Sequence, residues 1–215
     1  MDLELIKNNI IFRLISKEEF DRLTKQVEKT KNEFPFRKWN DLYLIYKSML
    51  PVPPDDLVTT MLISNFFMKR LKLTEEDLYQ FAKANTAKRT GVIVKPLLPS
   101  FGDFANETPI ENDVWDFADE LEPIVLTNRD FVNGVALILC DEVMDKIVEH
   151  YQVNALYILP SSVHEVIITP ESYFVDIKYL KDMLRETNRN FVSSEDKLSN
   201  HIYKYICATR TFEVL

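Results

Sequence analysis

Glycine is scarce in this chain of 215 residues, which holds only 3, at Gly91, Gly102 and Gly134. Average usage would give roughly 15 glycines in a chain of this length. Walker A loops, dinucleotide-binding fingerprints, kinase glycine-rich loops and the G-x-S-x-G nucleophile elbow need closely spaced glycines, because their backbones turn sharply beside a ligand or substrate. No two glycines here lie within ten residues of each other. The sequence therefore excludes all four motifs.

Cysteine is also rare, and long apolar runs are missing. The 2 cysteines, Cys140 and Cys207, lie far apart and form no C-x-x-C motif, so we expect reduced thiols and no disulfide. The first residues, Met1–Glu4, include acids where a signal peptide carries lysines. The longest uninterrupted apolar run, Val135–Cys140, is far shorter than the ~18–20 residues that cross a bilayer. These features predict a cytoplasmic protein without a membrane partner.

Positive charge is in deficit, because 26 Lys and Arg residues stand against 34 Asp and Glu, a net charge of −8. An acidic chain repels the phosphate backbone, so we expect no nucleic-acid partner. Hydrophobic residues make up 46% of the chain and charged residues 28%, as in soluble globular proteins. We expect no cofactor.

The length suggests one large domain or two small ones, at ~150 residues per domain. We expect a mainly helical part over 1–90 with one or two strands, an irregular acidic connection over 91–121, and an α+β part over 122–215, packed as one compact unit. Within the connection, Trp115 and Phe117 lie in an acidic stretch that is typical of a surface helix with a buried aromatic edge. A partner-binding amphipathic helix is the alternative.

The N-terminal part contains two capping patterns. Ser16 and Glu19 have the spacing of a capping box ahead of apolar residues at helical spacing. Thr74 is a second candidate N-cap, with Asp77 three residues later. The expected elements are a strand over 9–14, a helix over 16–31, a strand over 42–50 ended by prolines, a helix from Asp55 or Asp56 to Leu71, and a short helix after Thr74.

The C-terminal part is predicted to hold most of the sheet. The apolar runs Ile124–Thr127 and Val135–Leu139 suggest a hairpin, and 155–159 and 163–168 are expected to be strands. Helices are expected to begin at Asp141 and Asp176, whereas 195–207 fits either a helix or a strand. This order predicts an α+β fold, with a mixed, largely antiparallel sheet and helices packed on one face.

Four segments carry a family resemblance, which runs from about Ile10 to the C-terminus. The most specific segment is LYILPSSVHEVI, residues 156–167, and the others are 81–86, 125–128 followed by 134–136, and 198–200. With these strings the chain resembles a bacterial family of unknown function, found in anaerobic Gram-positive gut bacteria and distantly similar to the YtpQ-like family. The resemblance implies no activity, because none is established for that family.

The Pro-Ser-Ser-Val-His-Glu string contains the ingredients of nucleophilic catalysis, a serine, a histidine and a carboxylate. On an extended strand Ser162 and His164 share one face while Glu165 points to the other, so the carboxylate is badly placed to orient the imidazole. We therefore predict no catalytic residues, and a binding or regulatory protein with a recognition site near the 159–165 turn. Its partner would be a protein or a small polar ligand. The alternative is a hydrolase-like enzyme that uses Ser162 or a water activated by His164.

Other residues are candidates for the same site. Asn85 and Asn128 each stand at the end of an expected element, where they either terminate it or line a common pocket. The candidate binding residues are Asn85, Thr86, Asn128, Ser161, Ser162, His164 and Glu165. The 3 histidines, at 150, 164 and 201, form no metal-binding spacing, so we expect no metal site.

Overall fold

The computed structural model describes residues 3–30, 33–52, 57–97, 108–117, 121–160, 162–173 and 176–215. The chain divides into two compact units, Met1–Arg89 and Thr90–Leu215. Each unit combines helices with a mostly antiparallel sheet, so the predicted α+β class is confirmed. Asp55, Asp56 and Ser161 lie outside the described residues.

The first unit contains one four-stranded sheet. Its elements are α1 (Leu3–Lys7), β1 (Ile10–Ile15), α2 (Lys17–Thr30), β2 (Phe36–Trp39), β3 (Leu42–Val52), β4 (Leu57–Leu62), α3 (Asn65–Arg70) and α4 (Glu75–Thr90). The long strand β3 pairs with β1 along one side and with β2 and then β4 along the other, always antiparallel. Four strands replace the expected one or two.

Two helices of this unit begin where the sequence predicts. The Ser16 hydroxyl accepts from the Glu19 amide at 3.2 Å, which confirms Ser16 as the cap of the first helix. At the start of α4 both bonds of a capping box are present, because Thr74 accepts from the Asp77 amide and Asp77 accepts from the Thr74 amide. Helix α2 then packs on a cluster that includes Ile15, one of the buried residues of β1. Local hydrogen bonds between neighbours therefore set both helix starts.

The helix predicted from Asp55 or Asp56 to Leu71 is wrong. Residues 57–62 form β4, and a helix is found only over 65–70. The β-branched residues Val58, Thr59 and Thr60 pair with the end of β3, and this pairing outweighs the helical spacing of the leucines. Strand β3 also continues through Pro51 and ends at Val52, the residue before Pro53.

The second unit contains a seven-stranded sheet in the order β11-β10-β8-β9-β7-β5-β6. Its elements are β5 (Ile93–Pro96), β6 (Val114–Trp115), β7 (Ile124–Thr127), a 3-10 helix (Gly134–Leu139), α5 (Asp141–Tyr151), β8 (Ala155–Leu159), β9 (Val166–Pro170), α6 (Ile177–Asn190), β10 (Tyr203–Ile206) and β11 (Thr211–Val214). Among the described strands of this sheet, only β5 and β6 pair in parallel. Residues 203–206 settle the ambiguous C-terminal segment as a strand.

The hairpin predicted from 124–127 and 135–139 is wrong. Residues 134–139 form a fully buried 3-10 helix, and β7 pairs instead with β5 and β9. A short apolar run buried on every side has no polar face to reveal its period, so its residues fit a strand or a helix equally well. Strand β9 also begins at Val166 and not at Val163.

Both faces of the central strand β8 are covered, because all five of its residues are buried. Helix α6 covers one face, where Leu180 and Leu184 pack with Tyr157 and Leu159. The sequence predicts helices on one face of the sheet, but the side chains on the other face of β8 are buried as well. The Asp176 carboxylate accepts from the Lys178 amide at 2.8 Å, which confirms the predicted start of α6.

Three further expectations are decided in this unit. Residues 114–115 are a strand beside β5, so the helix expected around Trp115 is wrong there. Helix α5 begins at Asp141, but its N-cap is Cys140 and no side chain caps it. Cys140 is buried, Cys207 is half-buried, and no disulfide joins the two.

Candidate functional site

A structured bend joins β8 to β9 at the segment that the sequence singled out. Pro160 follows the last residue of β8, and the Ser162 hydroxyl accepts from the His164 amide at 2.8 Å. Ser162 also forms an isolated bridge with Lys197, and the Val163 amide donates to the Asp196 carbonyl at 2.8 Å. The bend is therefore held by the segment 193–197, which follows α6.

The His164 ring is fixed at both nitrogens. Nδ1 lies 3.4 Å from the backbone nitrogen of Asn133, which can only donate, so Nδ1 accepts. In the neutral ring the proton is then on Nε2, which lies 3.0 Å from Asp196 Oδ1. The other oxygen of Asp196 accepts from the Ser193 hydroxyl at 2.7 Å. The imidazole thus has one fixed tautomer and one fixed orientation.

The backbone of His164 is held as firmly as its ring. Its carbonyl accepts from the Thr127 hydroxyl at 2.8 Å and from the Gly134 amide at 3.0 Å. A Cβ added at Gly134 would lie 2.6 Å from both the His164 carbonyl oxygen and the Asn128 nitrogen. Glycine at 134 is therefore what lets the 3-10 helix approach the bend this closely.

Glu165, the next residue of the bend, is half-buried. Burial raises the pKa of its carboxyl, while nearby His164 and a hydrogen bond from the Ser162 hydroxyl lower it. Ser162 therefore uses its oxygen for the His164 amide and its proton for Glu165. Among the described residues, no hydrogen bond joins the Ser162 hydroxyl to the His164 ring.

The other predicted residues have structural contacts of their own. Asn128 closes the 128–133 loop, because its side chain donates to the Val132 carbonyl and accepts from the Val132 amide. In the first unit, Asn85 donates to the Lys7 carbonyl and the Thr86 hydroxyl accepts from the Phe12 amide. The structure brings together Asn128, Ser162, His164 and Glu165 in the second unit, while Asn85 and Thr86 belong to the first.

Asn133, Ser193 and Asp196 were not predicted. Asp196 lies 32 residues from His164 along the chain, and no spacing connects a carboxylate at that distance to one histidine. Asn133 contributes its amide from a left-handed conformation with φ of 59°. Its Asn-Gly sequence with Gly134 is a turn signal that could have indicated a tight bend, although not its neighbour in space.

A shallow groove of about 410 Å³ lies elsewhere in the second unit, lined by Trp115, Phe117, Lys146, Glu149 and His150. The Phe117 ring stacks on His150 at 4.3 Å, and the Lys146 ammonium lies 4.1 Å from the centre of the Trp115 ring. The aromatic residues of the acidic stretch thus pack against α5.

In the described ranges no group of three His, Cys, Asp or Glu side chains could hold a metal ion. Across those same ranges, no helix combines the length and the apolar character that a membrane span requires.

The fold and the bend define an α+β protein whose polar site is assembled from three separate chain segments around one oriented histidine. Over residues 1–206 the chain matches a family described as a family of unknown function (DUF5688), and it belongs to that family. No curated protein and no solved structure matches the chain.

Proposed function

We propose that the chain is a cytoplasmic, non-catalytic binding protein that recognises a hydrogen-bond donor of a partner protein at the His164 bend. The observation that carries the proposal is the engagement of both His164 ring nitrogens within the protein. A ring held in this way does not accept a proton from a nucleophile, but it fixes the Asp196 carboxylate in place. From the sequence resemblance we also propose that the protein is bacterial and that its family is distantly related to the YtpQ-like family.

The charge of the bend favours a cationic donor, such as a lysine or arginine side chain. Asp196 remains 43% exposed although it already accepts from His164 and Ser193. A carboxylate has about four lone-pair sites, so further donors can approach it from solvent. The net charge of −8 attracts a basic partner over a longer range.

The test is a titration with the amidated dipeptide Lys-Arg, followed by NMR of the His164 ring. We expect a saturable shift in the natural protein and at least a tenfold weaker response in Asp196→Asn. Asp182→Asn is the matched control, because it removes a carboxylate whose 60% exposed side chain pairs with Arg185 on the surface of α6. The neutral dipeptide Gln-Gln amide should give no shift.

Stability and esterase measurements separate recognition from its alternatives. Asp196→Asn should change the free energy of unfolding by only about 1 kcal/mol, the scale of one hydrogen bond. Equal responses from Asp196→Asn and Asp182→Asn would contradict the proposal. Hydrolysis of p-nitrophenyl acetate that disappears in Ser162→Ala or His164→Ala would establish the hydrolase instead.

A further inference from the structure

Lys47 occupies an unusual place for a lysine, near the middle of strand β3 in the first unit. Its direct neighbours across the sheet are the apolar residues Ile11 on β1 and Leu62 on β4. Its ammonium donates to the Thr60 hydroxyl at 3.3 Å, and it has no carboxylate within ion-pair distance in the part of the chain that is described. The half-buried amine thus has a neutral partner where lysines usually have an acid.

A second cation lies on the same face of the sheet. Arg13 pairs with Ile45, two residues before Lys47, so strand alternation places Arg13 diagonal to Lys47 on one face. Burial first, and the charge of Arg13 second, lower the pKa of Lys47 to about 8, whereas Glu19 raises it. The environment therefore raises the fraction of unprotonated amine near neutral pH, and the unprotonated amine is the nucleophilic form of lysine.

We propose that Lys47 captures small carbonyl compounds that carry a carboxylate or phosphate group, and that Arg13 attracts the anionic group. The Lys47 nitrogen attacks the carbonyl carbon to form a carbinolamine. The carbon–oxygen bond then breaks, and the oxygen leaves as water with the two protons of the amine. The product is an imine, with one water released for each carbonyl consumed. Lys47 lies in the first unit and His164 in the second, so this proposal is tested independently of the binding function proposed for the His164 bend.

The experiment uses glyoxylate, an aldehyde that bears a carboxylate, with sodium cyanoborohydride to reduce the imine to a stable amine. Peptide mass spectrometry after brief reaction near neutral pH gives the rate at each lysine. We expect Lys47 to react at least about tenfold faster than the exposed Lys38 and Lys72 of the same molecule, because a pKa lowered to about 8 leaves a larger unprotonated fraction of Lys47 near neutral pH. This internal comparison needs no variant.

Propionaldehyde, which is neutral, tests the part assigned to Arg13. The natural protein should react faster at Lys47 with glyoxylate than with propionaldehyde, and Arg13→Gln should abolish that preference. Lys47→Arg, which keeps the positive charge, should lose the fast site and leave the other lysines unchanged. A Lys47 rate equal to that of Lys38, or no preference for glyoxylate, would overturn the proposal.

Discussion

Replacement of Gly134 by alanine tests how closely the 3-10 helix must approach the His164 bend. The added Cβ would lie 2.6 Å from the His164 carbonyl oxygen, 2.6 Å from the Asn128 nitrogen and 2.7 Å from the Thr127 hydroxyl. Real Cβ atoms essentially never approach other heavy atoms below 3.0 Å. Two of the three obstacles are backbone atoms, so no side-chain rotation relieves the contact.

The expected cost is that of an overpacked core, about 1–3 kcal/mol for one methyl group. The carbonyl of His164 must move away, and this lengthens the bond from the Gly134 amide, now 3.0 Å. The ring moves with its backbone, so its fit to Asp196 weakens. Urea denaturation should show a lower midpoint with an unchanged slope, and NMR should show a displaced His164 ring resonance.

The neighbouring residue provides the control. Asn133 has φ of 59° and no side-chain capping bond, so Asn133→Gly keeps the backbone amide that His164 uses. Glycine adopts this left-handed conformation without a steric penalty, so we expect the stability of Asn133→Gly to match or exceed that of the natural protein. If Gly134→Ala is as stable as Asn133→Gly, the close approach is not what requires glycine.

Two further substitutions test the buried polar groups of the structure. The hydroxyl of Ser48 is buried and has no hydrogen-bond partner among the described residues, whereas that of Thr86 accepts from the Phe12 amide. Ser48→Ala should therefore maintain or raise the free energy of unfolding, and Thr86→Val should lower it by about 1–3 kcal/mol because a buried amide loses its acceptor; equal effects in chemical denaturation would refute this difference. For Glu165, burial raises the pKa, so the folded state binds the proton more tightly and stability falls as pH rises from the usual glutamate value through the raised one. Glu165→Gln should remove this part of the fall, and parallel pH profiles of stability for the two proteins would show that the pKa is not raised.

Local hydrogen bonds made the helix starts predictable from sequence. Ser16 with Glu19, and Thr74 with Asp77, are partners three residues apart, so the whole device lies in one short string. Strand β4 was missed because its evidence is not local: residues 57–62 become a strand through pairing with 47–52. The apolar residues of this segment have helical spacing, but pairing with β3 stabilises the strand more than that spacing stabilises a helix.

The candidate site was predicted in part for the same reason. Ser162, His164 and Glu165 were found because they are adjacent in sequence and chemically distinctive. Asp196 and Asn133, which fix the ring, lie 32 and 31 residues away, where sequence spacing carries no information about contact. Only the fold of the second unit brings these segments together.

The bend is held by residues 193–197, which follow α6, so the site cannot form before this segment has been synthesised and has packed against the bend. His164 precedes Asp196 by 32 residues in the chain, so the imidazole gains its carboxylate partner only when residues 193–197 have been added and α6 has packed on the sheet. The same order applies in reverse when the folded protein fluctuates. Local opening of α6 and the segment after it would separate Asp196 from His164 while the remaining strands of the sheet stay paired. The site therefore forms only when the segment that follows α6 lies against the bend.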